Sequence, residues 1–386
     1  METTAHLHHN KLNSATCILL LAQTTAEYSM KNFISVIIFC AISLNGFTQN
    51  IIKSNDPRIR YEGRVSVNDD SAMLSWPGNS ITINFKGTGV KALLRDEKGT
   101  NYFKVIVDGQ LMPDIKMDSS KQLYTLASGL QTGRHTVQLF KRTEWVFGRT
   151  WFYQFQLDAG TTISKAPAAQ KRKIEFYGNS ITCGYGVLDT SGQDRGTPPF
   201  EDNYLSYAAI TARHFSAQYS CIARSGIGIL ISWFPQVMPE MYDRLYGDDV
   251  NGKWDFSKYS PDIVVINLFQ NDCWLVQQPQ HEQFKHRFGT TAPSPEQIIK
   301  AYQNFIESIR GKYPKAHIIC ALGNMDATKE GSAWPGYVSK AVENMHDKKI
   351  TAHFFPYKNT PGHPHVNEQQ AMADDLIKYI EDNIQW

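Results

Sequence analysis

Four short runs in this 386-residue chain carry residue types that together could perform acyl transfer: Gly178-Asn179-Ser180, Ser225-Gly226, Asn271-Asp272 and His363-Pro364. A serine hydroxyl is a weak nucleophile until a base takes its proton, and histidine is the side chain suited to that near neutral pH. His363 is the best placed base for Ser180. The oxyanion that forms when a serine attacks a carbonyl needs fixed donors. The backbone N–H groups of Ser180 and Gly226 and the side-chain amide of Asn271 are of the right kind. Ser180 does not lie in a Gly-x-Ser-x-Gly elbow, because Thr182 stands where the second glycine would be. Taken singly, each run also reads as an ordinary turn.

Their meaning depends on the elements that hold them. Ile174–Tyr177, Gln218–Ala223, 262–268, His317–Leu322 and 350–355 are mostly apolar and strand-like, and helical patterns lie between them. One helical face joins Tyr204, Ala208, Ala212 and Phe215. Ser294, Pro295 and Gln297 form a capping box for a helix running to Arg310, with Gly311 as its stop, and Asn367 is read as the cap of a last helix. Such alternation predicts a parallel sheet covered on both faces, with its ligand crevice beyond the carboxyl ends of the strands. The four runs fall at those ends. Trp274, on the loop after Asn271, and Trp334, in a Gly-Ser-Ala-Trp-Pro-Gly loop, are candidates to stack on a sugar ring.

The front of the chain has a different period. Ile81, Ile83 and Phe85, then Phe103, Val105 and Val107, then Val137 and Leu139, then Trp151, Tyr153, Phe155 and Leu157 alternate as half-buried antiparallel strands do. Turn signals at 77–79, 108–109 and 132–133 divide them, which predicts a β-sandwich over residues 50–160 and a polar linker over 161–173. Residues 174–386 are the α/β domain.

Met30-Lys31 opens an uncharged apolar run, 33–44, of signal-peptide anatomy. That run is shorter than the roughly 20 residues a membrane-spanning helix needs. The expectation is an exported protein, secreted or periplasmic, with residues 1–29 an upstream extension and 30–49 the leader. An N-terminal membrane anchor is the other reading. A net charge of +2 argues against a nucleic-acid partner. Cys183, Cys221, Cys273 and Cys320 show no metal-ligand spacing and imply no bridge.

The four runs, in this order, resemble the blocks of the SGNH (GDSL-type) hydrolases, with Asn179 in place of the usual Asp. The front half, with Phe140-Lys141-Arg142-Thr143-Glu144, is similar to the N-terminal domain of carbohydrate esterase family 2, as is Glu201-Asp202-Asn203-Tyr204-Leu205-Ser206-Tyr207. The resemblance implies a jelly-roll-like β-sandwich followed by a three-layer α/β/α hydrolase domain. It also implies O-deacetylation of plant cell-wall polysaccharides such as xylan and glucomannan, without a cofactor. The family pattern selects His363 over His365 as the base. Two departures stand out: Phe269-Gln270 replaces the Gly-x of the third block, and Thr360 occupies the place of the usual Asp before the His. The second departure implies a Ser180–His363 dyad, with a backbone carbonyl or a polar side chain orienting the imidazole. A lipase or thioesterase on the same fold, or a catalytically weak carbohydrate-binding protein, are the alternatives.

Overall fold

The period-two pattern of the front half folds as two packed antiparallel sheets. In the computed structural model, which describes residues 50–386, one sheet has six strands and the other seven. The expected leader and upstream extension lie outside the described residues. Among the described residues no helix is long and apolar enough to cross a membrane.

Ser80–Gly87, Gly133–Lys141 and Tyr102–Val107 pair side by side, and Ile81, Ile83, Phe85, Val105, Val137 and Leu139 point into the sandwich core. The fourth predicted strand departs from strict alternation. Its register shifts between Phe152 and Gln154, so Phe152, Phe155 and Leu157 are buried while Trp151 and Tyr153 face outward. A bulge adds one residue to one strand, and a one-residue slip exchanges the two faces. Arg95 and Lys121 cover the outward rings of Trp151 and Tyr153. The expected linker is in part structured: Thr162–Ile163 pairs with the Ser80–Gly87 strand.

The second half has a five-stranded parallel sheet in the order Gln218–Ala223, Lys173–Gly178, Ile263–Asn267, His317–Leu322, Ile350–Phe354. The order reverses at Lys173–Gly178, and a crevice opens beyond the strand ends at such a switch point. One apolar layer includes Tyr302, Phe305, Ile306 and Ile309 of the Pro295–Lys312 helix, and the other Ala373, Leu376 and Ile380 of the Val366–Asn383 helix. The capping box forms as expected: Ser294 Oγ accepts from the Gln297 N–H and Gln297 Oε1 from the Ser294 N–H. Gly311 does not stop that helix, which continues to Lys312. His365, not Asn367, stands at the start of the last helix, where its N–H donates to Glu368. Cys183, Cys221, Cys273 and Cys320 are buried and unbridged.

The two halves meet over a polar seam. Arg64, from the sandwich, is fully buried and donates to the carbonyls of Tyr242 and Arg244, to the Tyr177 hydroxyl and to Glu175. The 77–79 turn presses on the hydrolase layer that holds Ala373 and Leu376, since a Cβ on Gly78 would lie 2.3 Å from the Tyr219 ring. Burying an arginine is costly unless its donors are met, and here four partners meet the two terminal nitrogens while Nε has none among the described residues.

Candidate active site

Gly178 ends its strand with Thr182 packed where a Cβ would sit, 2.0 Å from Thr182 Oγ1, so only glycine allows the chain to turn so tightly there. Asn179 then caps a one-turn helix, Ser180–Cys183, by accepting from the Ile181 N–H. Ser180 is thereby set at the helix start with its side chain in a cleft of about 520 Å³. Gly226, Trp233, Asn271, Trp274, Asp326 and His363 line the same cleft.

Ser180 Oγ lies 2.8 Å from His363 Nε2. On the far side of the ring, Nδ1 is 2.9 Å from Asp194 Oδ2 and 3.0 Å from Oδ1, and the His363 backbone N–H also donates to Oδ1 at 2.9 Å. This overturns the expected dyad. Thr360 supplies no carboxylate, but a different loop does. With a carboxylate on Nδ1, the ring takes the tautomer that leaves Nε2 free to accept the serine proton. Burial works to raise the Asp194 pKa. The ring and backbone donors of His363 outweigh it, and the carboxyl is held below its usual range.

Asp194 has φ 55°, a left-handed conformation that Asp adopts more readily than most residues. Its loop is tied by Asp189, whose carboxylate accepts from the Ser191 N–H and hydroxyl and from the backbone and guanidinium of Arg195. The Arg195 bonds, first among these, hold the Asp189 carboxyl far below the usual carboxylate range. Tyr185 leans on the imidazole at 4.3 Å between ring centroids, and Gly196 makes room for it, because a Cβ there would overlap the Tyr185 ring.

The opposite wall carries the donors. Asn271 Oδ1 accepts from Trp233 Nε1 at 3.0 Å, and Nδ2 donates to the Ile227 carbonyl at 2.8 Å. These two bonds fix the amide orientation and leave one Nδ2–H for the cleft. Gly226 has φ 81°, and Trp233 and Phe234 atoms crowd the place of its Cβ at 3.2 to 3.3 Å. Asp272 turns away from the cleft and is fully buried. Its carboxyl accepts from the N–H groups of Ile229, Leu230 and Ile231, fixing the loop behind Gly226. Burial pushes the Asp272 carboxyl up to about 6, against those three N–H groups.

The Phe269 departure has a physical resolution. Phe269 takes φ 76°, the conformation a glycine adopts without strain, so the backbone keeps the turn that the usual glycine permits. A non-glycine residue there costs about 1 to 3 kcal/mol. Burying the whole ring against Tyr302 and Trp334 offsets it.

That packing also corrects the place of Trp334, which is buried in the hydrolase core against Phe269 and lines no part of the cleft. Trp274 does line it, with its Nε1 donating to Asp326. Ser180 Oγ hydrogen-bonds His363 and not His365, so the geometry favours His363. Sequence reasoning missed Asp194, Tyr185, Trp233 and Asp326. The only pointer to Asp194 was an acid-bearing, glycine-rich loop directly after the nucleophile.

Residues 61–167 match the carbohydrate esterase 2 N-terminal family, and residues 176–378 the GDSL-like lipase/acylhydrolase family. The cellulase/esterase CelE of Acetivibrio thermocellus is 35% identical over 344 residues, covering 86% of this chain and 40% of CelE. An acetylxylan esterase / glucomannan deacetylase of Cellvibrio japonicus is 26% identical over 344 residues, covering 87% of this chain and 91% of its own. A family two carbohydrate esterase from Clostridium thermocellum, solved with cellohexaose, superposes with a TM-score of 0.74 at 34% identity, covering 84% of this chain and 98% of that one. The chain thus spans less than half the length of CelE and nearly all of the other two. With both regions matched in order on one fold, the chain belongs to the GDSL-like lipase/acylhydrolase family of ester hydrolases, among the family 2 carbohydrate esterases.

Proposed function

We propose that the chain is an exported carbohydrate O-acetyl esterase that removes acetyl groups from plant cell-wall polysaccharides of the xylan or glucomannan type. The observation that carries this is the unbroken chain of hydrogen bonds from Ser180 Oγ through the His363 ring to Asp194, facing an open cleft. Ser180 attacks the acetyl carbonyl while His363 Nε2 takes its proton. Asp194 holds the ring and stabilises the imidazolium, as a triad acid does. The oxyanion is met by the N–H groups of Ser180 and Gly226 and by the remaining Nδ2–H of Asn271. His363 then returns the proton to the departing sugar hydroxyl, leaving an acetyl-serine. Water, activated by the same imidazole, releases acetate and restores Ser180. No step calls for a metal or an organic cofactor.

The polysaccharide class rests on the relatives named above and on the cleft's lining. Indole faces suit the apolar faces of sugar rings, and carboxylates such as Asp326 accept from hydroxyls. The test is acetate release from a panel of acetylated xylan, glucomannan and small esters, with Ser180→Ala as reference. Release from the polysaccharides that falls to below about 1% in Ser180→Ala is expected. Release from long-chain esters alone would overturn the substrate class, and an undiminished Ser180→Ala would overturn the site.

A further inference from the structure

Two sequence runs take no part in the chemistry above, Lys141–Glu144 in the sandwich and Glu201–Asn203 in the hydrolase half. They meet directly behind the cleft wall. Glu144 Oε2 accepts the N–H of Ser225, the residue before Gly226, at 2.9 Å. Glu201 Oε1 accepts the Glu144 N–H at 2.5 Å, while Glu201 Oε2 is buried without a partner among the described residues. Both side chains are almost wholly buried.

We infer that the Glu144–Glu201 pair positions the oxyanion donor Gly226 through the Ser225 peptide, which makes Glu144 a positioning residue contributed by the N-terminal sandwich. The inference rests on the ester-hydrolase reading of the Ser180 site. The orphaned Glu201 oxygen is accounted for when Glu201 keeps its proton and donates it to the Glu144 carboxylate, since two buried carboxyls so close cannot both ionise. Burial first, then the Glu144 charge, hold the Glu201 carboxyl well above its usual range, and burial also raises that of Glu144.

The surroundings are consistent with one negative charge on the pair. Lys141 Nζ, fully buried, donates to Asn101 Oδ1 and to the carbonyls of Thr143 and Glu144, and burial lowers its pKa to about 8. Arg224 is held between the Trp145 and Phe234 rings, with burial lowering it to about 10. Cys183, Cys221 and Tyr185 are the other titratable groups facing the pair, each raised first by burial. The same junction grips the nucleophile turn. Arg142 donates to the Glu201 carbonyl, the Asn203 N–H to the Arg142 carbonyl, and Asn203 Nδ2 to the Thr182 carbonyl. Nucleophile and oxyanion donor are thus indexed to one rigid seam, and catalysis is sensitive to displacements of about 1 Å.

The test is steady-state kinetics of the full chain on 4-nitrophenyl acetate for wild type, Ser180→Ala, Glu144→Ala, Glu144→Gln and Glu144→Asp, with thermal midpoints alongside. Glu144→Ala is expected to lose about 10- to 100-fold in kcat, less than outright removal of an oxyanion donor, with KM within about threefold. Glu144→Gln keeps an oxygen for the Ser225 N–H and should recover most of the loss. A merely structural role would lower the amount of folded enzyme and leave kcat per folded molecule alone. Should Glu144→Ala not fold, Glu144→Asp, which keeps the charge and shortens its reach, carries the same expectation. If wild type and Ser180→Ala turn over alike, the reading of the site fails. If turnover depends on Ser180 but the Glu144 variants stay within about twofold of wild type, or change KM alone, the positioning role is overturned.

Discussion

The two walls of the cleft use carboxylates in opposite ways. On the wall of residues 189–196, Asp194 is part-exposed, beside an imidazole and a backbone N–H, and its carboxyl is held below its usual range. On the wall of residues 226–233, Asp272 is fully buried with only backbone N–H partners, and burial lifts it to about 6. One acid keeps its charge to serve the histidine. The other spends hydrogen-bonding capacity on holding a loop still. Residue type alone does not separate the two roles, which are set by burial and by the nearest donor.

If the second wall supplies the donors, Asn271→Ala should lower kcat on a small acetate ester by about 10²- to 10³-fold and move KM little, because the oxyanion exists only in the transition state. A change confined to KM would place Asn271 in ground-state binding.

The indoles give the next contrast. Trp334→Ala removes a core side chain under Phe269 and is expected to cost about 3 to 5 kcal/mol of stability by denaturant unfolding. Trp274→Ala should instead raise KM on an acetylated polysaccharide and leave kcat on the small ester near wild type. Equal stability losses would erase the distinction between a core and a cleft indole.

Asp272 sharpens the electrostatic side. Its folded pKa is raised, so its contribution to stability is fully present below the unfolded value near 4 and is lost as pH rises through about 6. A shift of this size amounts to roughly 3 kcal/mol at neutral pH. Asp272→Asn should therefore show a smaller fall in stability than wild type between pH 4.5 and 7.5, read from denaturant midpoints. Parallel curves would mean that Asp272 titrates normally. The smallest effect is expected at Thr360, which does not line the cleft; its hydroxyl donates to Glu368 and its oxygens meet Lys358. Thr360→Ala should stay within about threefold of wild-type kcat/KM.

Much of this architecture was legible in the sequence because it rests on periodicity. The five parallel strands, the sandwich strands and the Ser294 cap follow from local pattern, and with them the convergence of Ser180, Gly226, Asn271 and His363 at the strand ends. What was not legible depends on events between distant segments. A single bulged residue at Tyr153 puts Trp151 and Tyr153 on the face opposite Phe155 and Leu157. Trp334 reads as a loop aromatic until Phe269, in a left-handed conformation, needs a neighbour to bury its ring. Asp194 lies 169 residues from the histidine it serves, in a loop with no periodic signal. Thr360 supplies no acid before His363, yet that absence does not say where else a carboxylate will come from, and the dyad it implies is not what forms.

The most direct test of the three-member site is kcat/KM for Asp194→Asn on 4-nitrophenyl acetate, with the thermal midpoint measured on the same preparation. An amide at this place can favour the wrong imidazole tautomer, and the account predicts a loss of about 10²- to 10⁴-fold with the fold retained, the upper figure being that of the chymotrypsin-type triad. An Asp194→Asn enzyme within about threefold of wild type would contradict it and return the site to a Ser180–His363 dyad.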